Sequence, residues 1–441
     1  MSDDRKAAER RVGLARLWAR AKQVLTTDPT GSDEDDHVVD EEAARVLAAN
    51  AGRLKGGLAK VAQLAAYDPG ATLGGKSGAT AAARAVLGGL WDKAPAVSAG
   101  AIARVVEHDL GKSPQALFAS WDPAPLASAS LGQVHAATLH DGTDVVVKVQ
   151  YPGVADALRA DLDDEAFLRK LAGAEIGRTL DDDSLTALRD AVRGELDYEA
   201  EGAAQERFRA AWADHASLRI PRVVGELSSR RVLTMTRAKG KTIVETAASG
   251  TPDVRRQAQM AIYAYAWGSP LVHRLLNADP NPGNFLVDEQ PDGHVHVWCL
   301  DFGCALELPE AVRDADRELW WALVDDDAFS AAERFRMGLA KSGLLKRTDM
   351  MATNAHREWE KTLAQPIVTH GDFHWSPAYA SELADTTRRV LSAGGMGLPA
   401  RMLLLWRQRL GVSAVLGMLD GKAPFRRVLV DLIGSGRRAL R

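Results

Sequence analysis

Residues 277–303, NADPNPGNFLVDEQPDGHVHVWCLDFG, constrain the fold of this chain more than any other stretch. Asp279 is followed five residues later by Asn284, and Phe285-Leu286-Val287 is a short apolar run. Asp292-Gly293 is a hairpin turn signal. Val295, Val297 and Cys299 then alternate with His294, His296 and Trp298, the two-residue period of a strand. That strand runs into Leu300-Asp301-Phe302-Gly303. A hairpin returns the chain to where it began, so this one predicts Asn284 and Asp301 side by side at one end.

The ordered set D-x-x-x-x-N, hairpin, D-F-G is the layout of a kinase catalytic loop and metal site. There the loop Asp handles the acceptor group and the Asn holds a second Mg²⁺, while the DFG Asp holds the first. Magnesium takes oxygen ligands and sits between a few protein oxygens and the phosphates. Asp-Pro and Asp-Gly taken singly are ordinary turn formers; their order and spacing carry the reading.

A second kinase-like device lies upstream in residues 125–154, PLASASLGQVHAATLHDGTDVVVKVQYPGV. Leu131–Ala137 predicts a strand, Asp141-Gly142 a tight turn, and Val145–Val149 a return strand carrying Lys148. A loop before such a hairpin covers nucleotide phosphates with backbone N–H groups, and the strand Lys pairs with the α- and β-phosphates. Ala127, Ser128, Ala129 and Ser130 stand where glycines would be expected. Alanine resists left-handed backbone by about 1–2 kcal/mol per residue, so the loop geometry and nucleotide preference are expected to differ from those of ordinary protein kinases.

In this order, ASASLGQVH, VVVKVQYPGV, GELDYEAE (194–201), NADPNPGN (277–284) and LDFG (300–303) resemble the UbiB/AarF family of atypical kinases and ATPases. The likeness covers residues 41–425, and LAKVAQ (58–63) matches the family's K-x-G-Q helix with Ala62 in place of Gly. The resemblance implies a bilobal kinase-like fold with a helical extension laid across the active site. It also implies that Lys60 and Gln63 enter the nucleotide pocket and that Ala127–Ser130 form an Ala-rich loop. Lys148 would pair with Glu195, and Asp197 would complete an E-x-D motif on the same helix. Asp279, Asn284 and Asp301 match the loop and metal residues. In the strand RVLTMTR (231–237), Met235 resembles the gatekeeper, and Thr236 to Ala238 the hinge whose backbone meets adenine. Gly240 marks the exit to the second lobe. Asn277 and Asn281 stand where bacterial members often have His.

The remaining features narrow the function. A net charge of −4 argues against a general nucleic-acid binder. Two cysteines, Cys299 and Cys304, make no disulfide framework, so a reducing cytoplasm is the expectation. The N-terminus has no apolar signal core. Residues 5–25 predict a basic amphipathic helix, which fits docking on a protein surface better than an anionic membrane. Residues 28–42 are acidic and linker-like. Residues 68–80 contain GGKSG, but the leading Gly is out of place for a phosphate loop. Residues 81–121 predict two helices with a turn at Lys112–Pro114. Met402–Leu419 carries Arg407, Gln408 and Arg409 at its centre. Each Arg would cost about 2.5–3.5 kcal/mol in a bilayer, so a buried helix is expected rather than a span.

After Gly303 the chain reads straight into a helix, without the long segment on which a protein kinase seats a peptide. His370-Gly371-Asp372-Phe373-His374 resembles a phosphotransferase loop, but Pro377 stands where the Asn would be, so a loop between helices is expected. His294, His296, Cys299 and Cys304 could be imagined as a zinc set; a strand beside the DFG motif explains them without a metal.

The expectation is an α+β, bilobal protein-kinase-like fold, with a small antiparallel β N-lobe and a mostly helical C-lobe. Its parts are a basic helix and acidic linker (1–40), a helical extension (41–121), the N-lobe (122–238) and the C-lobe (239–441). The expected ligands are ATP or ADP and Mg²⁺. The expected activity is ATP hydrolysis or phosphorylation of a non-protein acceptor, placed by the resemblance in isoprenoid-quinone or lipid metabolism at the inner face of a membrane. The alternatives are a nucleotide-sensing scaffold without turnover and a true protein kinase.

Overall fold

Four antiparallel strands, in the order Ser120–Ser128, Gly132–Thr138, Asp144–Gln150 and Val232–Thr236, form the sheet of the first of two units in the computed structural model. The structure describes residues 97–128, 131–155, 194, 196–324, 328–341, 354–392 and 400–438. The first unit takes in the described residues up to Ala200 together with Val223–Arg237; the second takes in Glu201–Arg222 and the residues from Ala238 onward. The expected bilobal architecture is observed, with an antiparallel N-lobe sheet and a helix-rich C-lobe. The basic helix at 5–25, the acidic linker, Lys60, Gln63 and the Gly-rich stretch at 68–80 lie outside the described residues.

Helix α1 (Ala99–Leu110) starts where the Ser98 side chain accepts the Ala101 N–H, and it ends at Gly111 in left-handed backbone. A single turn, α2 (Pro114–Leu117), follows. The chain then enters β1 (Ser120–Ser128), which the sequence reading did not place. Pro123 and Pro125 disguise it, because proline gives no ladder N–H and is confined to edges and bulges. Here β1 is an edge strand, and its register slips on both sides of Pro125.

Strands β2 (Gly132–Thr138) and β3 (Asp144–Gln150) form the expected hairpin, turning through Gly142 at φ 86°. Val145, Val147 and Val149 pack with Ile102, Val105 and Val106 of α1 on one face. Period-two alternation puts Val146 and Lys148 on the other face, where Val146 packs against Leu233, Met235 and Tyr198. After helix α3 (Tyr198–Ala211) and the short β4 (Leu218–Arg219), the chain returns as β5 (Val232–Thr236), pairing Met235 with Val146 and Thr236 with Val145.

In the second unit, β6 (Lys241–Thr242) and α4 (Ile243–Ser249) lead to α5 (Pro252–His273). Thr251 caps α5 by accepting the Val254 N–H at 3.2 Å, with Pro252 in the first turn where its missing N–H costs nothing. Most of α5 is buried, and Tyr263 stacks on Trp267 at 4.3 Å. Strand β7 (Leu275–Asn277) follows, then the hairpin β8 (Phe285–Glu289) and β9 (Val295–Cys299), turning through Gly293. The sheet order is β4-β9-β8-β6, with β4 parallel to β9. Strand β10 (Ala305–Glu307) pairs back onto β7.

The helices α6 (Glu310–Val324), α7 (Ala328–Lys341) and α8 (Asn354–Val368) come next. The HGDFH stretch is more than a loop. Its end forms β11 (Phe373–Trp375) before α9 (Pro377–Ser392), and β11 pairs with β12 (Gly421–Ala423). Two of its polar side chains make surface pairs, Asp372 with Arg256 at 2.7 Å and His374 with Asp420 at 2.8 Å.

Helix α10 (Ala400–Leu419) and the terminal α11 (Phe425–Arg438) complete the unit. α10 is the stretch expected to be buried, and among the described residues no helix is long and apolar enough to cross a membrane. Its Arg409 is 2% exposed and grips both oxygens of Asp316, itself 0% exposed, at 2.5 and 2.6 Å. The rings of Trp320, Trp267 and Trp406 surround the guanidinium at 4.8–5.9 Å.

Candidate active site

The hairpin does what its sequence predicts. Phe285 pairs with Cys299, and the carbonyl of Asn284 accepts the Leu300 N–H at 2.8 Å. Asn284 and the DFG residues are thereby fixed at one end of the β8–β9 ladder. Asp279 joins them through a compact loop. Asn281 accepts the Gly283 N–H on its Oδ1 at 2.8 Å and the Asn284 N–H on its carbonyl at 3.0 Å, closing a 3₁₀ turn over Pro282–Asn284. The Nδ2 of Asn284 then donates to Asp279, at 3.1 Å to Oδ2 and 3.3 Å to the carbonyl. With the amide nitrogen engaged there, the oxygen of Asn284 and the carboxylate of Asp301 are hard donors of the kind magnesium takes. The donor set fits the expected metal.

Asp301 is one of three non-glycine residues with positive φ among the described residues, at 54°. L-residues reach that region at a cost, so other bonds must hold it. The Gly303 N–H donates to Asp301 Oδ1 at 3.1 Å. The buried Asn277 donates from Nδ2 to the Asp301 carbonyl at 2.9 Å and to the Tyr265 hydroxyl at 3.3 Å. Its Oδ1 accepts the Asp279 N–H at 3.2 Å. Burial pushes the Tyr265 hydroxyl well above its ordinary pKa, which keeps it a neutral partner. In the sequence Asn277 stands out only as a departure from histidine, because this bracket joins residues that meet through the fold.

Phe302 is buried beside Phe208, ring centroids 5.0 Å apart, and its N–H donates to Oε1 of Glu201 at 3.4 Å. Glu201, on α3, is 2% exposed. It lies at the end of the GELDYEAE motif, where an acidic helical composition hid it among surface carboxylates. Asp197, expected on the same helix as Glu195, instead caps α3: its Oδ1 accepts the Ala200 N–H at 3.0 Å, and its own N–H turns back to the Gly194 carbonyl. Asp is among the best N-caps because its short side chain reaches the orphan N–H groups of the first turn. Glu195 lies outside the described residues.

Cys299 and Cys304 are buried thiols, and burial pushes the Cys299 thiol far up, which makes it unreactive. Two glycines admit close backbone approach near the site. Gly240, at φ 120°, lies against the Val287 carbonyl, where a Cβ would fall 2.6 Å from the oxygen. Gly411 of α10 lies against Pro280 of the Asp279–Asn284 loop, where a Cβ would overlap the proline ring.

In the first unit, Lys148 has its Nζ 4.9 Å over the ring of Tyr198. Ala127 and Ser128, expected in the Ala-rich loop, are still in β1, paired with Val134 and Gln133; Ala129 and Ser130 lie outside the described residues. Met235 is buried on β5 beside Tyr198, and Thr236 ends that strand. The chain leaves it through Arg237, whose N–H donates to the Asp144 carbonyl, and the half-buried Ala238.

Residues 89–335 match the family described as the ABC1 atypical kinase-like domain. The chain is 32% identical over 291 residues to the rat mitochondrial atypical kinase COQ8B, covering 65% of this chain and 52% of that protein. It is 30% identical over 345 residues to the uncharacterized protein Rv0647c of Mycobacterium tuberculosis, covering 75% and 67% respectively. The chain thus spans about half the length of the rat relative. Among solved structures, the Rv3197–erythromycin complex of Mycobacterium tuberculosis superposes with a TM-score of 0.60 at 26% identity, covering 91% of this chain and 98% of that one.

Proposed function

Because the chain belongs to the UbiB/ABC1 family of atypical kinases, we propose that it binds Mg²⁺ with an adenine nucleotide and transfers the γ-phosphoryl group to water or a non-protein acceptor. One observation carries the reading. Asn284 is bonded to Asp279 while its backbone is tied to Leu300, so the acceptor-side acid and both metal ligands sit on one rigid hairpin end. Phosphoryl transfer asks mainly for positioning and charge neutralisation, and such a scaffold supplies the first.

In this reading Asp279 orients the acceptor oxygen and takes its proton as the oxygen bonds to the γ-phosphorus, while the bond from that phosphorus to the β,γ-bridging oxygen breaks and ADP leaves. Asn284 and Asp301 would hold the metal, whose charge would offset that of the phosphates. Lys148 clamps the α- and β-phosphates, Met235 is the gatekeeper, and Thr236 to Ala238 meet adenine. Glu195, Lys60, Gln63, Ala129 and Ser130 keep the roles the family motifs imply, while Ala127 and Ser128 belong to β1. The run from Gly303 to α6 is only six residues, which speaks against a peptide acceptor. We place the role in isoprenoid-quinone or other lipid metabolism at the cytoplasmic face of a membrane. A family neighbour held with erythromycin is in keeping with a bulky non-protein ligand.

The test is phosphate release from Mg·ATP by wild type and Asp301→Asn, with and without anionic vesicles. The expected outcome is wild-type turnover that rises with lipid and is lost in the variant. Tight nucleotide binding with no turnover in any condition would replace the enzyme by a nucleotide-sensing scaffold. Phosphate appearing on a polypeptide would make it a protein kinase.

A further inference from the structure

Helix α10 carries a glycine, Gly411, in its interior, where glycine costs about 1 kcal/mol relative to alanine. The cost has a local reason. A Cβ on Gly411 would overlap Cβ and Cγ of Pro280 and lie 3.7 Å from Cδ. Pro280 stands between Asp279 and Asn281 in the catalytic loop, and its ring is part of the backbone. Unlike the tip of a flexible side chain, that ring cannot turn aside; moving it moves Asp279.

The helix has little freedom to retreat. Two residues before Gly411, Arg409 is locked to Asp316 by two bonds. Two residues after it, the Ser413 carbonyl accepts the Trp375 indole N–H at 3.0 Å. Further on, the Leu416 carbonyl accepts Nε2 of the buried Gln259 at 2.7 Å. The loop is tied by Ala278 N–H to the Cys304 carbonyl, Asp279 N–H to Asn277, the Asn284 side chain to Asp279 and the Asn281 turn, so a displaced Pro280 carries Asp279 and Asn284 with it.

We propose that Gly411 is a positioning residue for the catalytic loop, setting Asp279 and Asn284 through its contact with Pro280. The inference rests on the roles given to those two residues above. A second glycine of the same helix makes the control. Gly417 seats Ala380, whose Cβ would lie 2.7 Å from an added one, and the Ser376 carbonyl at 3.2 Å, away from the catalytic loop.

The experiment compares the full-length wild type with Gly411→Ala, Gly417→Ala, Pro280→Gly and the double variant Gly411→Ala/Pro280→Gly. Amide hydrogen exchange is followed peptide by peptide, alongside ADP affinity with and without Mg²⁺ and phosphate release. Gly411→Ala is expected to speed exchange at residues 278–284 while leaving the β8–β9 ladder protected. It is expected to lower turnover about a hundredfold, the effect of a misplacement near 1 Å, and to erase the Mg²⁺ gain in ADP affinity. Metal-free ADP binding should hold. Gly417→Ala should loosen residues 376–380 and spare the loop, and the double variant should return to the Pro280→Gly level. Wild-type exchange at 278–284 in Gly411→Ala, or loosening equal to that in Gly417→Ala, overturns the proposal. If Gly411→Ala does not fold, folding of the double variant supports the contact, and failure of both overturns it. If wild type shows no Mg²⁺ gain, the functional reading fails, while the exchange comparison still decides the role of Gly411.

Discussion

The Asn277 side chain donates from Nδ2 to the Asp301 backbone carbonyl at 2.9 Å. Because the same side chain also accepts the Asp279 N–H, one neutral residue registers the Asp279–Asn284 loop against the DFG turn. We predict that Asn277→Ala loses both ties. At about 0.5–1.5 kcal/mol per bond, that is about 1–3 kcal/mol of site organisation, or roughly 5- to 150-fold in turnover. Asn277→Asp keeps an acceptor for Asp279 but sets a carboxylate against the Asp301 carbonyl, and should be no better than Ala. Steady-state phosphate release decides; full activity in Asn277→Ala would leave the bracket without a role.

Metal dependence should separate Asp301 from the rest of the site. A ligand held only by the folded state at a hundred times its Kd adds about 2.7 kcal/mol of stability. Wild type with ADP should therefore melt higher when Mg²⁺ is added, and EDTA should remove the gain. Asp301→Asn should show the ADP effect without the Mg²⁺ increment. A thermal melt with an unchanged Mg²⁺ increment in the variant would discard Asp301 as a ligand.

The Arg409–Asp316 pair predicts an asymmetric double-mutant cycle. Removing one partner of a buried pair leaves an uncompensated charge and costs about 3–5 kcal/mol. Arg409→Met should fall in that range by urea unfolding. Arg409→Met with Asp316→Leu should recover much of it, since replacing both charges by apolar groups is often neutral. Additive losses would show that the charges do not interact.

Acidification should weaken the fold in two steps. Burial lowers the pKa of His135, His215, His273 and His296, with Arg219 adding to the shift at His215 and His296. The unfolded chain binds protons at these sites below the ordinary value of 6.5 while the folded chain does not, so stability present above 6.5 is lost as pH falls below it. Asp109 acts lower down. Burial raises its pKa, but bonds from Arg231, His108 and Ser229 outweigh that and hold it at about 2, so its contribution is lost between 3.8 and 2. Stability constant from pH 7 to 5 would contradict the histidine assignment.

The placement of Asp279, Asn284 and Asp301 was legible because they are joined by local turns and one hairpin, whose spacing is written along the chain. Lys148 was legible for the same reason. Strand β1 was not, since Pro123 and Pro125 break the alternation that marks a strand, and an edge tolerates them. The cap role of Asp197 was hidden because an acidic stretch reads equally as one helix or as a helix start. Gly411 and Glu201 depend on packing against residues remote in sequence, which periodicity does not report. The HGDFH stretch misled in part because β12, the strand that completes β11, comes from the far end of the chain.

Six residues, Cys304-Ala-Leu-Glu-Leu-Pro309, carry the chain from the DFG turn to α6, and three of them are tied into the β10–β7 pair. None bears a hydroxyl. Many kinases are switched on when a phosphorylated loop in this place becomes ordered. Here the six residues offer no hydroxyl to phosphorylate and three of them are already paired, so under the proposed function a switch of that kind has no foothold in this segment.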